Sequence, residues 1–281
     1  MRGPARILAA LIPAAVATAQ IVTDNAGVAS PELPALREVV TFRQARNVDE
    51  IRLDTQWIWS PSPTFETRTT LPFVWRDLGA DAIDGFGDVA VRGKQSLWQH
   101  DDVLSSTRLA ALGELSLPTG DDDDRGAQGV LLPVKLQPGS GATGFGGGAA
   151  FTLIRDRHRF ASELFYRHTL MDDGFAPGDR IQGNLAYWYR LLPARFRDAP
   201  ERDLLELRGV LELLTTHRCE SHATSGLDDQ GTEVWLAPGL QFFGRGRVLF
   251  EASLQVPVFQ DVGDVFGRRQ WAATIAIKFL F

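Results

Sequence analysis

The chain ends in the stretch 269–281, RQWAATIAIKFLF, which decides its predicted fold. Successive side chains of a β-strand point to opposite faces, so every second residue shares a face. One face of this stretch is apolar and partly aromatic, which is the pattern of a strand in a transmembrane β-barrel. We interpret this face as the membrane-insertion signal that the barrel-assembly machinery recognises, and its central residues are Trp271, Ile275, Ile277, Phe279 and Phe281.

The same two-residue period recurs upstream in segments separated by Gly, Pro, Asp or Arg. It predicts an all-β, antiparallel transmembrane barrel of about twelve strands, an even number as in bacterial outer-membrane barrels. Short periplasmic turns and longer extracellular loops should alternate along the chain, with the turn at 193–202 and the short loop at 47–49 as departures. The predicted strands lie near 38–46, 50–60, 64–75, 87–98, 106–117, 145–155, 159–170, 180–192, 203–216, 231–243, 246–258 and 269–281.

The first nineteen residues have the three parts of an export signal. Arg2 and Arg6 supply positive charge, residues 7–16 are apolar, and Ala17-Thr18-Ala19 fits an A-x-A cleavage site. We therefore predict a cleaved signal peptide at 1–19, a periplasmic N-terminal segment at 20–37 and the barrel at 38–281. The expected location is the cell outer membrane, with outer-membrane lipid around the barrel.

Composition excludes several other classes of protein. After residue 19 the sequence has no run of about 20 apolar residues, which a membrane-spanning helix requires. Cys219 is the single cysteine, so an intramolecular disulfide framework is excluded. The net charge of −6 argues against a nucleic-acid partner, which would favour a basic face. A soluble β-sandwich is disfavoured because its last strand would have little reason to expose the apolar face of 269–281.

Polar residues dominate the faces predicted to point into the lumen, and they carry both signs of charge in near balance. Such a lumen either braces a narrow closed barrel through ion pairs or lines a small, restricted pore. The alternatives are thus a narrow channel for small solutes and a non-conducting structural or adhesive barrel plugged by ion pairs and by the 118–144 loop. The predicted lumen-lining residues are Asp54, Asp88, Arg92, Lys94, Arg108, Glu114, Glu163, Arg167, Arg190, Glu206, Arg208, Glu251 and Lys278.

Arrangements for catalysis or metal binding are weak. Nucleophilic catalysis requires a base within hydrogen-bond reach of the nucleophile, but Ser162 lies about 20 Å from His168 along an extended strand. His100, His158 and His217 are expected in turns or loops. The spacing of His217, Cys219 and His222 resembles that of metal ligands, but no clear fourth ligand accompanies them. We expect no enzymatic activity, no cofactor and no metal, and we interpret the acidic run 121–124 as a solvated loop tip.

Several strings, in this order, resemble one family. They are LPFVW at 71–75, GFGDV at 85–89 before Gly93-Lys94, LSLPTGD at 115–121, LQPGSG at 136–141, APGLQ at 237–241 and EASLQVPV at 251–258. Together they resemble the outer-membrane transporters associated with the phenol meta-degradation pathway, over residues 38–281. The resemblance implies a barrel that passes small, often aromatic or apolar compounds, and it transfers no catalytic residue.

Overall fold

The computed structural model describes residues 23–28, 34–45, 48–79, 81–102, 105–126, 129–132, 136–170, 175–193, 205–223, 230–244, 247–263 and 268–281. Within these residues the chain forms a closed antiparallel β-barrel of 12 strands. The barrel strands are β1 (Ala35–Ala45), β2 (Asp49–Ser62), β3 (Phe65–Asp77), β5 (Ala90–Asp102), β6 (Ser105–Ser116), β7 (Gly144–Arg155), β8 (His158–Thr169), β10 (Arg180–Leu192), β11 (Glu206–Arg218), β13 (Gly231–Gly244), β14 (Val248–Val262) and β15 (Arg269–Leu280).

Each barrel strand pairs with its neighbours in chain order, and β1 closes the ring by pairing with β15 along its whole length. Closure matters because it leaves no free sheet edge, so the backbone polar groups of the wall are satisfied within the wall. Three short strands lie outside this ring. The strand β4 (Ala82–Phe86) pairs with the end of β3, and β9 (Phe175–Ala176) pairs with β12 (His222–Ala223).

The connections divide the barrel into two ends, as the sequence predicts. At one end, here called the turn end, most strands are joined by short turns, such as 63–64 and 156–157. At the other, the loop end, most connections are longer, and the longest is 117–143 between β6 and β7. No helix of the described residues is long and apolar enough to cross a membrane.

The two faces of the wall differ as the period-2 pattern predicts. On β14 and β15 the outward Leu254 and Ile275 are about half exposed, at 49% and 53%, whereas the inward Thr274 and Ala276 are buried. Ile277 is an exception because it has outward parity and yet is fully buried. It lies in register between Glu38 of β1 and Phe250 of β14.

Several predicted boundaries shift. β1 begins at Ala35 instead of residue 38, because residues 35–37 continue the pairing with the last residues of β15. β5 begins at Ala90 instead of residue 87, since the preceding chain turns aside and the N–H of Gly87 donates to the carbonyl of Pro72 at 2.9 Å. The expectation that three histidines occupy turns or loops is wrong, because strands include His100, His158 and His217.

The N-terminal segment also departs from its prediction. Residues 23–28 lie inside the barrel, where Thr23, Asp24 and Ala26 are almost completely buried, and not in the periplasm. Residues 35–37, the end of the same predicted segment, belong to β1. The predicted signal peptide at 1–19 lies outside the described residues.

Candidate functional site

The lumen contains a piece of the chain itself, residues 23–28, which we call the plug segment. Its backbone N–H groups bond to side chains of three wall strands. The N–H of Thr23 donates to Glu212 of β11, that of Asp24 to Glu163 of β8, and that of Ala26 to the hydroxyl of Thr152 of β7, each at 2.9 Å. Among the described residues the plug segment joins no strand, so wall side chains hold it in place.

Asp24 is the electrostatic centre of this arrangement. Its carboxylate forms ion pairs with Arg68 of β3, with Arg92 of β5 at 3.4 Å and with Lys94 of β5 at 3.6 Å. The Asp24 side chain is 1% exposed, so solvent screens these interactions little. A buried carboxylate requires such partners, because leaving it unpaired in the lumen would cost several kcal/mol, on the order of 3–5.

Arg92 connects the plug segment to the wall. Its guanidinium pairs with Glu114 at 2.9 Å and with Glu163 at 3.0 Å, in addition to Asp24. It also lies 4.4 Å from the centre of the Phe165 ring. Acidic and basic groups from four chain segments therefore meet at one level of the lumen.

The glycines at the start of β7 make room for Phe165. A Cβ on Gly146 would lie 2.6 Å from the Phe165 ring, and one on Gly148 would lie 2.2 Å from the carbonyl oxygen of Leu164. Gly146 and Gly148 therefore leave the inner face of β7 without side chains, and the Phe165 ring of the neighbouring β8 lies there.

The register places the predicted lumen residues on one face. Strand pairing puts Asp54 opposite Val39, Arg92 opposite Glu114, and Glu163 opposite Ala150, all on the side of the wall that carries the contacts with the plug segment. The remaining residues with this inward parity are Lys94, Arg108, Arg167, Arg190, Glu206, Arg208, Glu251 and Lys278.

Asp88 has a different environment from the one expected. It lies just before β5, and its carboxylate accepts hydrogen bonds from the N–H of Gly120 at 3.1 Å and from the N–H of Ser140 at 2.8 Å. The hydroxyl of Ser140 donates to the same carboxylate. Asp88 thus fastens the 117–143 loop to the loop end of the barrel, and its oxygens are used in doing so.

This junction accounts for three of the strings that suggested a family. GFGDV, LPTGD and LQPGSG meet there, with the backbones of Gly120 and Gly139 so close that a Cβ on either would lie within 2.8 Å of the other's backbone. The N–H of Phe86 donates to Asp121, and the N–H of Asp121 donates to the carbonyl of Phe86, both at 2.8 Å. These strings therefore build the loop end and not the middle of the lumen.

The same loop reaches the mouth of the lumen. The inward guanidinium of Arg76 donates to the carbonyls of Leu136 and Gln137 at 2.8 and 2.7 Å. Further along the loop, partial burial and the neighbouring Asp121 and Asp123 carboxylates raise the pKa of Asp124. The loop covers part of the mouth, whereas the plug segment occupies the lumen below it.

The outer face carries a polar group near the loop end. Nδ1 of His168 lies 2.7 Å from one oxygen of Asp179, and the hydroxyl of Tyr166 donates to the other. Ser162 shares β8 with His168 but lies six residues away. Among the described residues no group of three or more His, Cys, Asp or Glu side chains could hold a metal ion.

Solved structures of outer-membrane proteins have a similar architecture. An outer membrane channel from Pseudomonas putida F1 matches 93% of this chain and 100% of its own, with 12% identity and a TM-score of 0.70. The fold is that of an outer-membrane β-barrel. The NanC porin matches with 10% identity over 88% of this chain and 98% of its own, at a TM-score of 0.47. The β-domain of the Bordetella autotransporter BrkA matches with 12% identity over 89% and 99%, at a TM-score of 0.45.

No protein-family model matches the chain, and no curated protein does. The resemblance to the phenol meta-pathway transporters therefore stays a prediction.

Asp24, at the centre of the lumen, is not among the residues predicted from the sequence. Asp24 and Glu32 are the only charged residues between 20 and 36, and this stretch has no strand period. Its contacts with the wall join residues up to 189 positions apart, so no local pattern could reveal them. The inward charges of the wall are nearly balanced in the sequence, so they did not indicate that a further carboxylate enters the lumen.

Proposed function

We propose that this chain is an outer-membrane channel for small solutes and that the plug segment closes its lumen at rest. The main support is that polar contacts, and not strand pairing, hold the plug segment in the lumen. Ion pairs and hydrogen bonds to Asp24, Thr23 and Ala26 fix it, and these contacts can exchange with water without breaking any strand pairing. All strand pairings of the barrel wall therefore stay intact whether the plug segment lies inside or outside the lumen.

The solutes we propose are small and aromatic or apolar. The support is the resemblance of residues 38–281 to transporters of the phenol meta-degradation pathway and the aromatic side chains on inward positions. Phe165, Trp188 and Trp235 all have inward parity and are buried. Phe165 shares a hydrophobic cluster with Ala26, so release of the plug segment would offer an aromatic solute a flat apolar ring beside Arg92.

A second function has its own observation. The plug segment and the ion pairs of Arg92 with Glu114 and Glu163 cross-brace the lumen, as expected of a non-conducting structural or adhesive barrel. In that case the plug segment would be a permanent part of the core.

Planar-bilayer recording of the refolded protein separates the two functions. Asp24→Asn removes the carboxylate from Arg68, Arg92 and Lys94, so these cations repel one another and the segment loses its anchor. For a channel we expect the open fraction or unit conductance to rise several-fold. The matched control is Asn25→Ala, because the Asn25 carboxamide oxygen accepts a bond from Gly27 inside the segment itself.

Failure of both the wild type and Asp24→Asn to conduct would identify the non-conducting barrel. If the channel opens, a liposome-swelling screen with small sugars and with aromatic acids ranks the solutes. Faster entry of sugars than of aromatic acids of similar size would contradict the proposed solute class.

A further inference from the structure

Five arginines lie in one continuous hydrogen-bonding row of the wall. Strand register places Arg68 of β3 opposite Arg92 of β5, then Glu114 of β6, Gly146 of β7, Arg167 of β8, Arg180 of β10 and Arg218 of β11. All seven positions face the lumen. Because strands of a barrel are staggered, such a row climbs along the wall. This one rises from beside the plug segment to the loop end, and we call it the arginine row.

Charge in the upper part of the row is poorly balanced. Arg167 pairs with Glu114, and Arg218 pairs with Glu233, each at 3.5 Å. Each carboxylate is shared, because Glu114 also pairs with Arg92 and Glu233 also pairs with Arg269. Direct cross-strand neighbours have Cβ atoms about 4.5–5.5 Å apart, so three aligned arginines repel one another. A surplus of positive charge therefore remains in the upper part of the row.

Arg180, in the middle of this upper part, makes no hydrogen bond and no ion pair within 4 Å among the described residues, and Glu114 acts on it only from a longer distance. Its Nε is buried and unsatisfied. A buried guanidinium donor without an acceptor is unfavourable, so the site favours an anion that supplies the acceptor.

At the lower end of the row, arginines already bind an anionic group of the chain itself. There the Asp24 carboxylate lies against Arg68 and Arg92, where it supplies the negative charge that the wall lacks. The chain's own carboxylate thus occupies one level of the row, while the level around Arg180 offers the same chemistry without an occupant from the described chain.

We propose that Arg167, Arg180 and Arg218 form a binding site for the carboxylate of a small organic acid, at the outer entrance of the lumen. Guanidinium groups bind carboxylates through paired, charge-assisted hydrogen bonds, which suits this ligand better than a neutral solute. The proposal refines the proposed channel function, on which its role in transport rests, by naming the solute class.

Apolar side chains next to the site suggest the rest of the ligand. Phe165 precedes Arg167 by two residues on the same face of β8, and Leu214 and Trp235 pair in register on β11 and β13 further into the lumen. These three side chains are buried and inward. Phe165 shares a hydrophobic cluster with Ala26 of the plug segment, so release of that segment would let an acid place its carboxylate on the arginines and its apolar or aromatic body against the Phe165 ring.

A fluorine NMR titration tests the site in the refolded full-length protein in zwitterionic detergent. The probe is 4-fluorobenzoate, and neutral 4-fluorobenzyl alcohol is its uncharged counterpart. Arg180→Gln should weaken benzoate binding at least tenfold, because one charge-assisted hydrogen-bonding group is lost. Arg43→Gln, the matched control, removes the same charge from the loop end, where Arg43 pairs with Glu50 at 2.9 Å outside the row. It should change affinity less than twofold.

Equal affinities for the wild type and Arg180→Gln would overturn the assignment, and so would equal affinities for benzoate and the alcohol. Displacement of benzoate by inorganic phosphate at equal concentration would contradict the claim that an apolar body contributes to binding. Gel mobility before boiling verifies that each variant is folded. If benzoate binding depends on Arg180 but the barrel never conducts, the carboxylate site is supported and the channel function is contradicted. If the barrel conducts but binding does not depend on Arg180, the channel function is supported and the site is contradicted.

Discussion

At the scale of residues, neighbouring positions on β14 face opposite sides of the wall, and they should respond oppositely to charge. Leu254 is outward and 49% exposed, while Gln255 is inward and donates to Thr274 at 3.2 Å. An arginine in place of Leu254 would enter the lipid and should lower the free energy of unfolding by about 2–4 kcal/mol. Gln255→Arg faces the polar lumen and should cost less.

A urea titration of both variants folded into lipid vesicles measures the difference. The opposite ranking of Leu254→Arg and Gln255→Arg would show that the wall does not separate lipid from lumen as the register indicates.

The Asp88 carboxylate makes a second prediction at the scale of residues. It accepts N–H groups from Gly120 and Ser140, and bonds to a charged acceptor contribute about 1.5–3 kcal/mol each. Asp88→Ala should therefore release the 117–143 loop and speed tryptic cleavage after Arg125 several-fold. Asp123→Ala, an exposed carboxylate of the same loop, should leave the cleavage rate unchanged, and equal rates in both variants would count against the junction.

At the scale of elements, the period-2 pattern locates most strands because the two faces meet different solvents. β10 has the predicted bounds, 180–192, since Arg180 and Gln182 alternate with Ile181. The start of β1 was harder to predict because Val39 is apolar and yet faces the lumen, where it is buried. Bulges, such as the one between Ser96 and Trp98, leave no mark in the pattern.

The plug segment could not be predicted for a different reason. Its position depends on wall side chains such as Glu163 and Arg92, which come together only after the barrel closes. The inward parity of those residues followed from the sequence, but the carboxylate that Arg92 meets did not.

The last strand carries a prediction of its own. Phe281 is 56% exposed, its N–H donates to Pro34 at 2.9 Å, and its ring lies 6.3 Å from that of Trp57. Because its side chain is largely exposed, deleting Phe281 should change folding in vitro little but lower outer-membrane levels in cells several-fold, if the assembly machinery recognises this end. Leu280→Ala, an inward change one residue earlier, is the control. Normal cellular levels of the deletion variant would contradict the insertion signal.

At the scale of the whole molecule, closure of the barrel through β1 and β15 predicts resistance to detergent. Every strand has two neighbours, so unfolding has no free edge from which to start. The unboiled protein should migrate differently from the boiled protein on SDS gels and should fractionate with outer membranes. Identical mobility, or a soluble periplasmic pool, would contradict the membrane barrel.

The most direct test of a channel closed by its own N-terminal segment is a reversible lock. The N–H of Ala26 lies 2.9 Å from the Thr152 hydroxyl, so these two positions are chosen for a pair of cysteines whose oxidation would tie the plug segment to β7, with Cys219→Ser removing the native thiol. The account predicts that the oxidised protein conducts no ions in a planar bilayer and that reduction restores the openings of the Cys219→Ser parent. Conductance that is the same before and after reduction, with the disulfide verified by mass spectrometry, would contradict it.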